Sequence, residues 1–254
     1  MELERFTDKP KKPFMAIIGG AKLSTKVPVI QTLAKTASHV FVGGAMAHAF
    51  FAAKKMQIGK SYLELASVSA ARKLGRRKNI HLPVDVLVAS RAAIGVSPHA
   101  VPVKKVGKND IIVDIGPETM RLWASEIRSA KTILWNGPVG MAEIPAFSHG
   151  SLVIGRAIAA RANGKAYGVV GGGDTLPVVT RTEMQEWFDF VSTGGGALLD
   201  FIENKGKLPG LSPLLGKQLK KLPPQPHEGH HEKGISCAPE NIILGRKKSK
   251  KRKS

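Results

Sequence analysis

Glycines stand at the ends of successive apolar runs, and this placement is the pattern with the clearest chemical meaning. A glycine lets the backbone turn sharply and approach a ligand closely. The helix after each turn directs free N–H groups and its positive dipole end to the same space, which suits phosphate groups. A single strand-to-helix turn needs glycine anyway, but several such turns favour a binding edge. The turns are Gly19-Gly20, Gly43-Gly44, Gly116, Gly137 with Gly140, and Gly171-Gly172-Gly173.

The standard phosphate-binding motifs are absent from the sequence. There is no G-x-x-x-x-G-K-[ST], and no G-x-G-x-x-G opens a helix. The sequence therefore indicates neither an ordinary P-loop protein nor a typical dinucleotide fold, and the turns must be judged by the elements that position them.

Short apolar runs alternate with segments of helical spacing along most of the chain. The runs are almost continuously apolar, as expected for strands buried on both faces of a parallel sheet. They cover residues 15–18, 40–42, 86–89, 111–113, 132–135 and 167–170, and helical spacing covers 27–35, 46–54, 64–74, 119–129 and 151–162. This alternation predicts an α/β fold: a doubly wound (Rossmann-like) parallel sheet with helices on both faces. Ligands of such sheets bind at the carboxyl ends of the strands, where the glycines fall.

Composition limits the class of protein. The 254 residues are 43% hydrophobic, which is enough for a sizeable core, and the net charge of +20 favours anionic partners without choosing among nucleotides, phosphorylated metabolites and nucleic acid. No apolar run is long enough to predict a transmembrane helix, and the polar start predicts no signal peptide. The single cysteine, Cys237, excludes an internal disulfide framework. A cytoplasmic protein is expected.

Three segments are predicted: a lead-in helix or linker remnant at 1–13, a single domain at 14–215, and a disordered basic tail at 216–254. The tail carries eleven Lys and Arg against three Glu, and it ends in a basic run from Arg246 to Ser254. It has too few apolar residues to offset the entropy of ordering. The basic run could bind nucleic acid or an acidic partner, or act as a nuclear-import signal, but a block of like charge is usually solvated.

Seven short segments, taken in order, resemble the C-terminal half of phosphoglycerate kinases. They are GGAKLSTK (19–26), GGAMA (43–47), LPVD (82–85), DIGP (114–117), WNGPVG (135–140), GGGDT (171–175) and STGGGA (192–197). The resemblance runs from about Glu2 to Pro209, and the triose-binding N-terminal half of the family has no counterpart in this sequence. It implies that residues 14–215 are a nucleotide-binding domain for ADP or ATP with Mg²⁺, serving phosphoryl transfer between 1,3-bisphosphoglycerate and ADP in glycolysis.

The same resemblance implies roles for four charged side chains. Asp174 would hold the nucleotide's Mg²⁺, a hard ion that prefers carboxylate oxygen. Lys22 and Lys26 would lie over the phosphates, with Lys22 following the transferred phosphoryl group, and Glu143 would accept hydrogen bonds from the ribose hydroxyls. Taken without the resemblance, the lysines and Glu143 could be ordinary solvated charges, and Asp174 could be the N-cap of the helix after Gly173.

Backbone positions are also implied. Gly194, Gly195 and Gly196 would present N–H groups to the moving phosphoryl group, as preorganised donors do in catalysis. Gly44, Gly116 and Pro117 would border the base, and Asn136 would lie near the phosphate chain. The remaining nucleotide-binding positions are Gly20, Ala21, Ala45, Gly173 and Thr175.

Three positions depart from the family's pattern. Thr25 stands where Asp is usual, Ala45 where a third glycine is usual, and Ala142 where an aromatic residue is usual beside Glu143. The loss of a carboxylate at Thr25 makes the local field more positive, and weaker metal binding or weaker catalysis is expected from it.

Three functions are left open by the sequence. The first is a kinase that needs an N-terminal lobe binding 3-phosphoglycerate, so that the isolated chain binds nucleotide but transfers phosphoryl poorly or not at all. The second is a non-catalytic nucleotide-binding module. The third is an interaction protein that uses the basic tail on nucleic acid.

Overall fold

The structure is a computed structural model that describes residues 10–204. Nine strands occur in this range: β1 (Phe14–Ile18), β2 (His39–Val42), β3 (Ile80–His81), β4 (Asp85–Ala89), β5 (His99–Pro102), β6 (Ile111–Ile115), β7 (Thr132–Asn136), β8 (Tyr167–Gly171) and β9 (Phe190–Ser192). Seven α-helices accompany them: α1 (Val27–Thr36), α2 (Met46–Ala53), α3 (Val68–Leu74), α4 (Pro117–Ile127), α5 (His149–Ala162), α6 (Leu176–Thr182) and α7 (Gly195–Glu203). The predicted tail at 216–254 lies outside the described residues, as do 1–9 and 205–215.

Six strands form the main sheet, in the order β3-β2-β1-β7-β8-β9. Every neighbouring pair in it is parallel. Successive side chains of β1 point to opposite faces: Phe14, Ala16 and Ile18 pack with α1, α2, α3 and α7, whereas Met15 and Ile17 pack with α4, α5 and α6. Because helices cover both faces, the strand is apolar at every position. The predicted doubly wound parallel sheet is confirmed.

Two of the predicted strands do not belong to that sheet. The runs at 86–89 and 111–113 form β4 and β6, which pair antiparallel in a separate sheet of order β5-β4-β6. The prediction that they continue the parallel sheet is wrong. Val86 and Val88 pack into one cluster with α2, while Ala89 packs with Phe147 in another. A strand between two small cores is as continuously apolar as a parallel strand, so its apolarity does not separate the two cases.

Helix α1 shows how the sequence sets the helices that flank the main sheet. Pro28 lies in its first turn, where the missing N–H costs nothing, and Val29, Ile30 and Leu33 recur on its buried face. The predicted helices at 46–54, 119–129 and 151–162 are likewise confirmed to within two residues at each end. The segment 64–74 differs, because α3 begins only at Val68 after a 3₁₀ turn at Leu65–Ser67. The sequence patterns do not predict the short elements β3, β5, β9 and α7.

None of the helices in the described range is long and apolar enough to cross a membrane.

Candidate functional site

A cleft of about 560 Å³ lies where the carboxyl edge of the parallel sheet meets helix α2 and the antiparallel sheet. Seven of the residues predicted from the sequence line it: Gly20, Ala21, Gly44, Ala45, Glu143, Gly173 and Asp174. Turns that are up to 154 positions apart in the chain therefore share one space, as the glycine pattern predicts.

The glycine turns of the cleft hold one another through backbone hydrogen bonds. The N–H of Gly20 donates to the carbonyl of Pro138 at 2.9 Å, and the N–H of Gly44 donates to the carbonyl of Val139 at 2.9 Å. The N–H of Met46 donates back to the carbonyl of Gly20 at 3.1 Å, so the start of α2 is tied to the first turn. This part of the cleft is pre-formed by main-chain contacts.

Many of the glycines serve this packing of turn against turn. A Cβ at Gly19 would lie 2.0 Å from the carbonyl oxygen of Pro138, and one at Gly44, where φ is +63°, would lie 2.8 Å from that of Gly20. A Cβ at Gly173 or Gly196 would meet nothing within 4 Å. The sequence predicts that the backbone of every turn comes close to a ligand. Space for a ligand next to the glycine Cα is found mainly at Gly173 and Gly196.

Lys26 is fixed beneath the turns. Its Nζ donates to the carbonyl of Gly19 and to Oδ1 of Asn136, both at 2.8 Å. Burial lowers the pKa of Lys26 to about 8, although the negative charge of Asp174 acts in the opposite direction. Nδ2 of Asn136 donates in turn to the carbonyl of Gly171 at 2.9 Å. Asn136 does not line the cleft and instead holds Lys26 next to the turn that carries Asp174.

Asp174 is exposed and lines the cleft. The N-cap of α6 is Thr175, and that helix has no side-chain capping hydrogen bond, so the alternative that Asp174 is the N-cap is wrong. Thr175 is buried, with its Oγ1 accepting from the N–H of Gly137 at 2.8 Å and donating to the carbonyl of Gly171 at 3.1 Å. These two hydrogen bonds of Thr175 fix the turn, and the carboxylate of Asp174 is not needed to hold it.

Lys22 differs from Lys26 because its side chain is exposed and has no hydrogen-bond partner among residues 10–204. The loop around it is closed by Thr25, whose hydroxyl donates to the carbonyl of Lys22 at 3.1 Å. Glu64, which sequence reasoning missed, accepts from the N–H and hydroxyl of Ser24 at 2.9 and 2.5 Å. The Ser24 hydroxyl is the largest cause that lowers the pKa of Glu64, to about 2. The loop is therefore anchored while Lys22 stays free to move.

The three glycines at the start of α7 lie beside the turn that carries Asp174. A Cβ at Gly195 would be 2.4 Å from Cα of Gly172, so the helix end packs directly on that turn. Gly194 is the N-cap and gives no side-chain capping bond. The N–H of Gly195 donates to the carbonyl of Thr193 at 3.2 Å, so the N–H of Gly196 is the first one of the helix left for an anion.

Gly116 and Pro117 do not line the cleft. They start α4, whose N–H groups at Glu118 and Thr119 donate to the carboxylate of Asp85 at 3.0 and 2.8 Å. A Cβ at Gly116 would lie 2.3 Å from that carboxylate, so this glycine makes room for the cap. The part of this segment that lines the cleft is the preceding strand, at Val113, Asp114 and Ile115, and the place of Gly116 and Pro117 beside the base stays a prediction.

Asp114 is a buried carboxylate in the wall of the cleft. It is 2% exposed and accepts from the N–H groups of Ile115 at 2.8 Å and Gly150 at 2.7 Å. Burial raises the pKa of Asp114 to about 7, against the effect of these two donors. A Cβ at Gly140 would lie 2.2 Å from Oδ1 of Asp114, so the carboxylate packs against the turn before Glu143. Asp114 thus connects β6 with that turn and, through Gly150, with the start of α5.

The end of the cleft away from Asp174 is apolar. Ala47 and Phe51 of α2 pack there in one cluster with Val86 and Ile112 of the antiparallel sheet. His48 lies on the same helix and is 3% exposed, with its Nδ1 2.8 Å from the carbonyl of Tyr62. An apolar slot that leads to a rim with a carboxylate has the polarity of a nucleotide: base inside, phosphates outside.

The residues of the cleft fit a magnesium ion that arrives with phosphate ligands. No group of three or more His, Cys, Asp or Glu that could hold a metal occurs among residues 10–204. Mg²⁺ is commonly held by one or two carboxylates together with substrate phosphates and water. The exposed carboxylates that line the cleft are Asp174 and Glu143, which fits this requirement.

A second cavity of about 510 Å³ lacks these features. It lies between β3, β5 and α4, and its lining in the described residues includes no glycine turn. Its walls are mainly Phe41, Ile80, Leu82 and Trp123, with Lys54, Lys104 and Glu126 at the edges. The first cleft is therefore the candidate site.

Comparison with known proteins identifies the family. A sequence model of the family described as "Phosphoglycerate kinase" matches residues 1–205. The chain belongs to the phosphoglycerate kinase family. It is 41% identical over 212 residues to phosphoglycerate kinase of Desulfosudis oleivorans, which covers 82% of this chain and 52% of that protein. It is 41% identical over 219 residues to phosphoglycerate kinase of Thermus thermophilus, with 84% and 55% covered.

Solved phosphoglycerate kinase structures agree with this assignment. The structure of phosphoglycerate kinase from Coxiella burnetii matches with a TM-score of 0.77 and 37% identity, covering 83% of this chain and 55% of that one. The enzyme of Pyrococcus horikoshii OT3 matches with a TM-score of 0.73 and 26% identity, covering 84% and 54%. The resemblance read from the sequence is confirmed, and the chain spans about half the length of the relatives it matches.

Proposed function

We propose that this chain binds ADP or ATP with Mg²⁺ in the 560 Å³ cleft and serves as the nucleotide-binding half of a phosphoglycerate kinase. The observation that carries the proposal is the exposed carboxylate of Asp174, which lines the cleft and acts on the charge of the buried Lys26, together with the apolar side chains that α2 contributes to the same cleft. A nucleoside diphosphate has the same polarity along its length.

The phosphate end supplies positioning and charge. In this proposal Asp174 would hold the Mg²⁺, which would neutralise phosphate charge, and Lys26 gives a fixed positive charge behind the turn. Lys22, on an anchored loop but with a free side chain, follows the phosphoryl group as it moves. The start of α7 packs on the turn that carries Asp174, and the N–H groups of Gly194 and Gly196 would stabilise the negative charge in transfer from there.

The base end and the ribose are held by other residues. Glu143 is exposed at the rim of the cleft, where it would accept hydrogen bonds from the ribose hydroxyls. Gly20, Ala21, Gly44 and Ala45 form the wall between the ribose and the base.

The reaction proposed is phosphoryl transfer from 1,3-bisphosphoglycerate to ADP. A β-phosphate oxygen of ADP attacks the acyl phosphate, the P–O bond to the carboxyl group breaks, and the carboxylate of 3-phosphoglycerate leaves. Such transfers depend mainly on alignment and charge neutralisation, which these residues supply for the nucleotide. We propose that a second lobe binds 3-phosphoglycerate and is required for turnover. The glycolytic role and a cytoplasmic location remain predictions.

A non-catalytic nucleotide-binding module is the second candidate, and Thr25 favours it. Its hydroxyl donates to the carbonyl of Lys22, so it offers the metal no charge where the family resemblance expects a carboxylate. The proposed nucleic-acid role of the tail concerns residues outside the described range.

Titration of the full chain with ADP tests the proposal. Calorimetry with excess Mg²⁺ should give one site with a dissociation constant of about 1 µM–1 mM. The same titration in EDTA should show much weaker binding, because the charge of Mg²⁺ is then missing between the phosphates and Asp174.

A second assay separates kinase from module. The chain is mixed with the N-terminal lobe of a family member, and ATP-dependent phosphorylation of 3-phosphoglycerate is followed. Activity above that of the lobe alone supports the kinase. Nucleotide binding with no turnover selects the module, and no binding of Mg-ADP contradicts both.

A further inference from the structure

His48 is a polar group in the apolar end of the cleft that the proposed phosphate chemistry does not use. It is the third residue of α2 and is 3% exposed. It lines the cleft beside Phe51, and the two rings stack with centroids 6.5 Å apart. Both nitrogens of an imidazole in an apolar slot need a hydrogen-bond partner.

The hydrogen bond to Tyr62 determines which nitrogen carries the proton. Nδ1 lies 2.8 Å from the Tyr62 carbonyl oxygen, and a carbonyl oxygen can only accept, so Nδ1 must be the donor. Burial lowers the pKa of His48, although the bond to Tyr62 acts in the opposite direction. The ring is therefore neutral near pH 7, and Nε2 presents a lone pair.

Nε2 has no partner in the part of the chain that the structure describes. Within the same residues, no fully buried side-chain nitrogen or oxygen lacks a hydrogen bond. Nε2 is therefore not sealed in the core, and the cleft that His48 lines is the space open to it. A fixed acceptor in an apolar slot is suited to a ligand that brings an N–H donor.

We infer that His48 Nε2 accepts a hydrogen bond from the exocyclic amino group of the adenine base and thereby selects adenine over 6-oxopurine nucleotides. This inference rests on the proposed nucleotide function. A 6-oxopurine such as hypoxanthine puts an oxygen where adenine has its amino group. That oxygen would face the Nε2 lone pair, and a site built for a donor rejects a ligand that lacks it.

Three diphosphates test the inference on the unmodified full chain in excess Mg²⁺. They are ADP, purine riboside 5′-diphosphate, which lacks the 6-amino group, and inosine 5′-diphosphate, which has oxygen there. Loss of one hydrogen bond that leaves a buried acceptor unpaired should weaken binding of the purine riboside about tenfold. The inosine nucleotide should bind at least as weakly.

A variant then assigns the discrimination to His48. His48→Phe keeps a ring but removes the acceptor, so the affinity ratios among the three ligands should fall to within about twofold. His99→Phe is the matched control, because His99 is exposed on β5 and does not line the cleft, and it should leave the ratios unchanged. Circular dichroism checks that each variant is folded.

The ¹⁵N chemical shift of His48 Nε2 gives a readout that needs no variant. It should report an unprotonated nitrogen in the free chain and move when ADP, but not the purine riboside, is added. Equal affinities for the three ligands overturn the inference and leave the nucleotide function standing, as does discrimination that survives His48→Phe. Failure of all three diphosphates to bind contradicts the nucleotide function, and the inference with it.

Discussion

The phosphate end of the cleft is made of backbone turns, whereas the base end is made of side chains. At the proposed phosphate end, turns from distant parts of the chain pack on one another: the N–H of Gly19 donates to the carbonyl of Asn136 at 2.9 Å, and a Cβ added at Gly195 would lie 2.4 Å from Cα of Gly172. At the base end, Phe51 of α2 packs on Val86 and Ile112 of the antiparallel sheet. The first end depends on the absence of side chains and the second on their fit. The two ends should therefore respond to different substitutions.

The largest effect is expected at the exposed carboxylate of the phosphate end. Asp174→Asn removes the charge that would hold Mg²⁺, and affinity for Mg-ADP should fall on the order of 100-fold or more, since even partners that only orient metal ligands are worth 10–100-fold. The melting temperature should not change. Calorimetry and thermal unfolding measure the two quantities.

The exposed Asp200 on α7 provides the control, as it does not line the cleft. Asp200→Asn should leave Mg-ADP affinity unchanged. Unchanged affinity in Asp174→Asn would remove the metal assignment.

Adjacent glycines give the next test. Gly195→Ala forces a Cβ to within 2.4 Å of Gly172 Cα and should destabilise the fold by about 1–3 kcal/mol. Gly196→Ala meets nothing within 4 Å and should stabilise α7 by about 0.5–1 kcal/mol, because alanine has less backbone freedom to lose. Urea denaturation measures both. Equal effects on stability would show that α7 does not pack on the Gly172 turn as described.

Gly196→Ala also tests ligand approach. If this position lies against the phosphoryl group, nucleotide affinity or turnover falls even though stability rises. Full function in this variant would exclude close contact with the ligand at Gly196.

Lys26 predicts a pH dependence of binding. Its pKa of about 8 lies below the ordinary lysine value of 10.5, so its positive charge is lost as pH rises through 8. Mg-ADP affinity should fall by up to about tenfold between pH 7 and 9.5, the scale of one partly buried charge interaction. Calorimetry at each pH measures it, and Lys26→Met should bind weakly at every pH.

The same pKa fixes the sign of the effect on stability. Between about pH 8 and 10.5 the unfolded chain binds the proton that the folded chain has released, so the Lys26 contribution to the unfolding free energy rises with pH. For the binding experiment, a Mg-ADP affinity that stays constant or rises between pH 7 and 9.5 would show that the Lys26 charge does not act on the phosphates.

The smallest effect on stability is expected at Lys22. Lys22→Ala removes an exposed side chain without a partner in the described residues, so the unfolding free energy should change by less than about 0.5 kcal/mol. Phosphate affinity or turnover should nevertheless fall. Lys26→Ala, by contrast, leaves the Gly19 carbonyl and Asn136 without their donor and should be clearly destabilising.

The two ends of the cleft also differ in how far the sequence predicts them. Glycine position, short apolar runs and the order of the motifs predict the phosphate end, because backbone turns are encoded locally. The acceptor at His48 depends on the carbonyl of Tyr62, which reaches it only through tertiary packing. The antiparallel pairing of β4 and β6 also cannot be predicted from local sequence. A strand between two small cores is as apolar as a parallel strand, and only tertiary packing distinguishes them.

Some residues predicted at the site make structural contacts. Asn136 is predicted to lie near the phosphates, and its Oδ1 accepts a hydrogen bond from Lys26. Gly116 was expected beside the base, and it makes room for the carboxylate of Asp85 at the start of α4. A short motif marks such positions correctly as constrained without showing whether a ligand or a neighbouring side chain imposes the constraint.

A crystal structure of the full chain with Mg-ADP is the sharpest test of nucleotide binding in the 560 Å³ cleft. We expect the adenine between the α2 face and the antiparallel sheet, with the metal on Asp174 and the diphosphate beside Gly173. A nucleotide in the 510 Å³ cavity, or in the cleft with its phosphates against Phe51 and its base at Asp174, would contradict it.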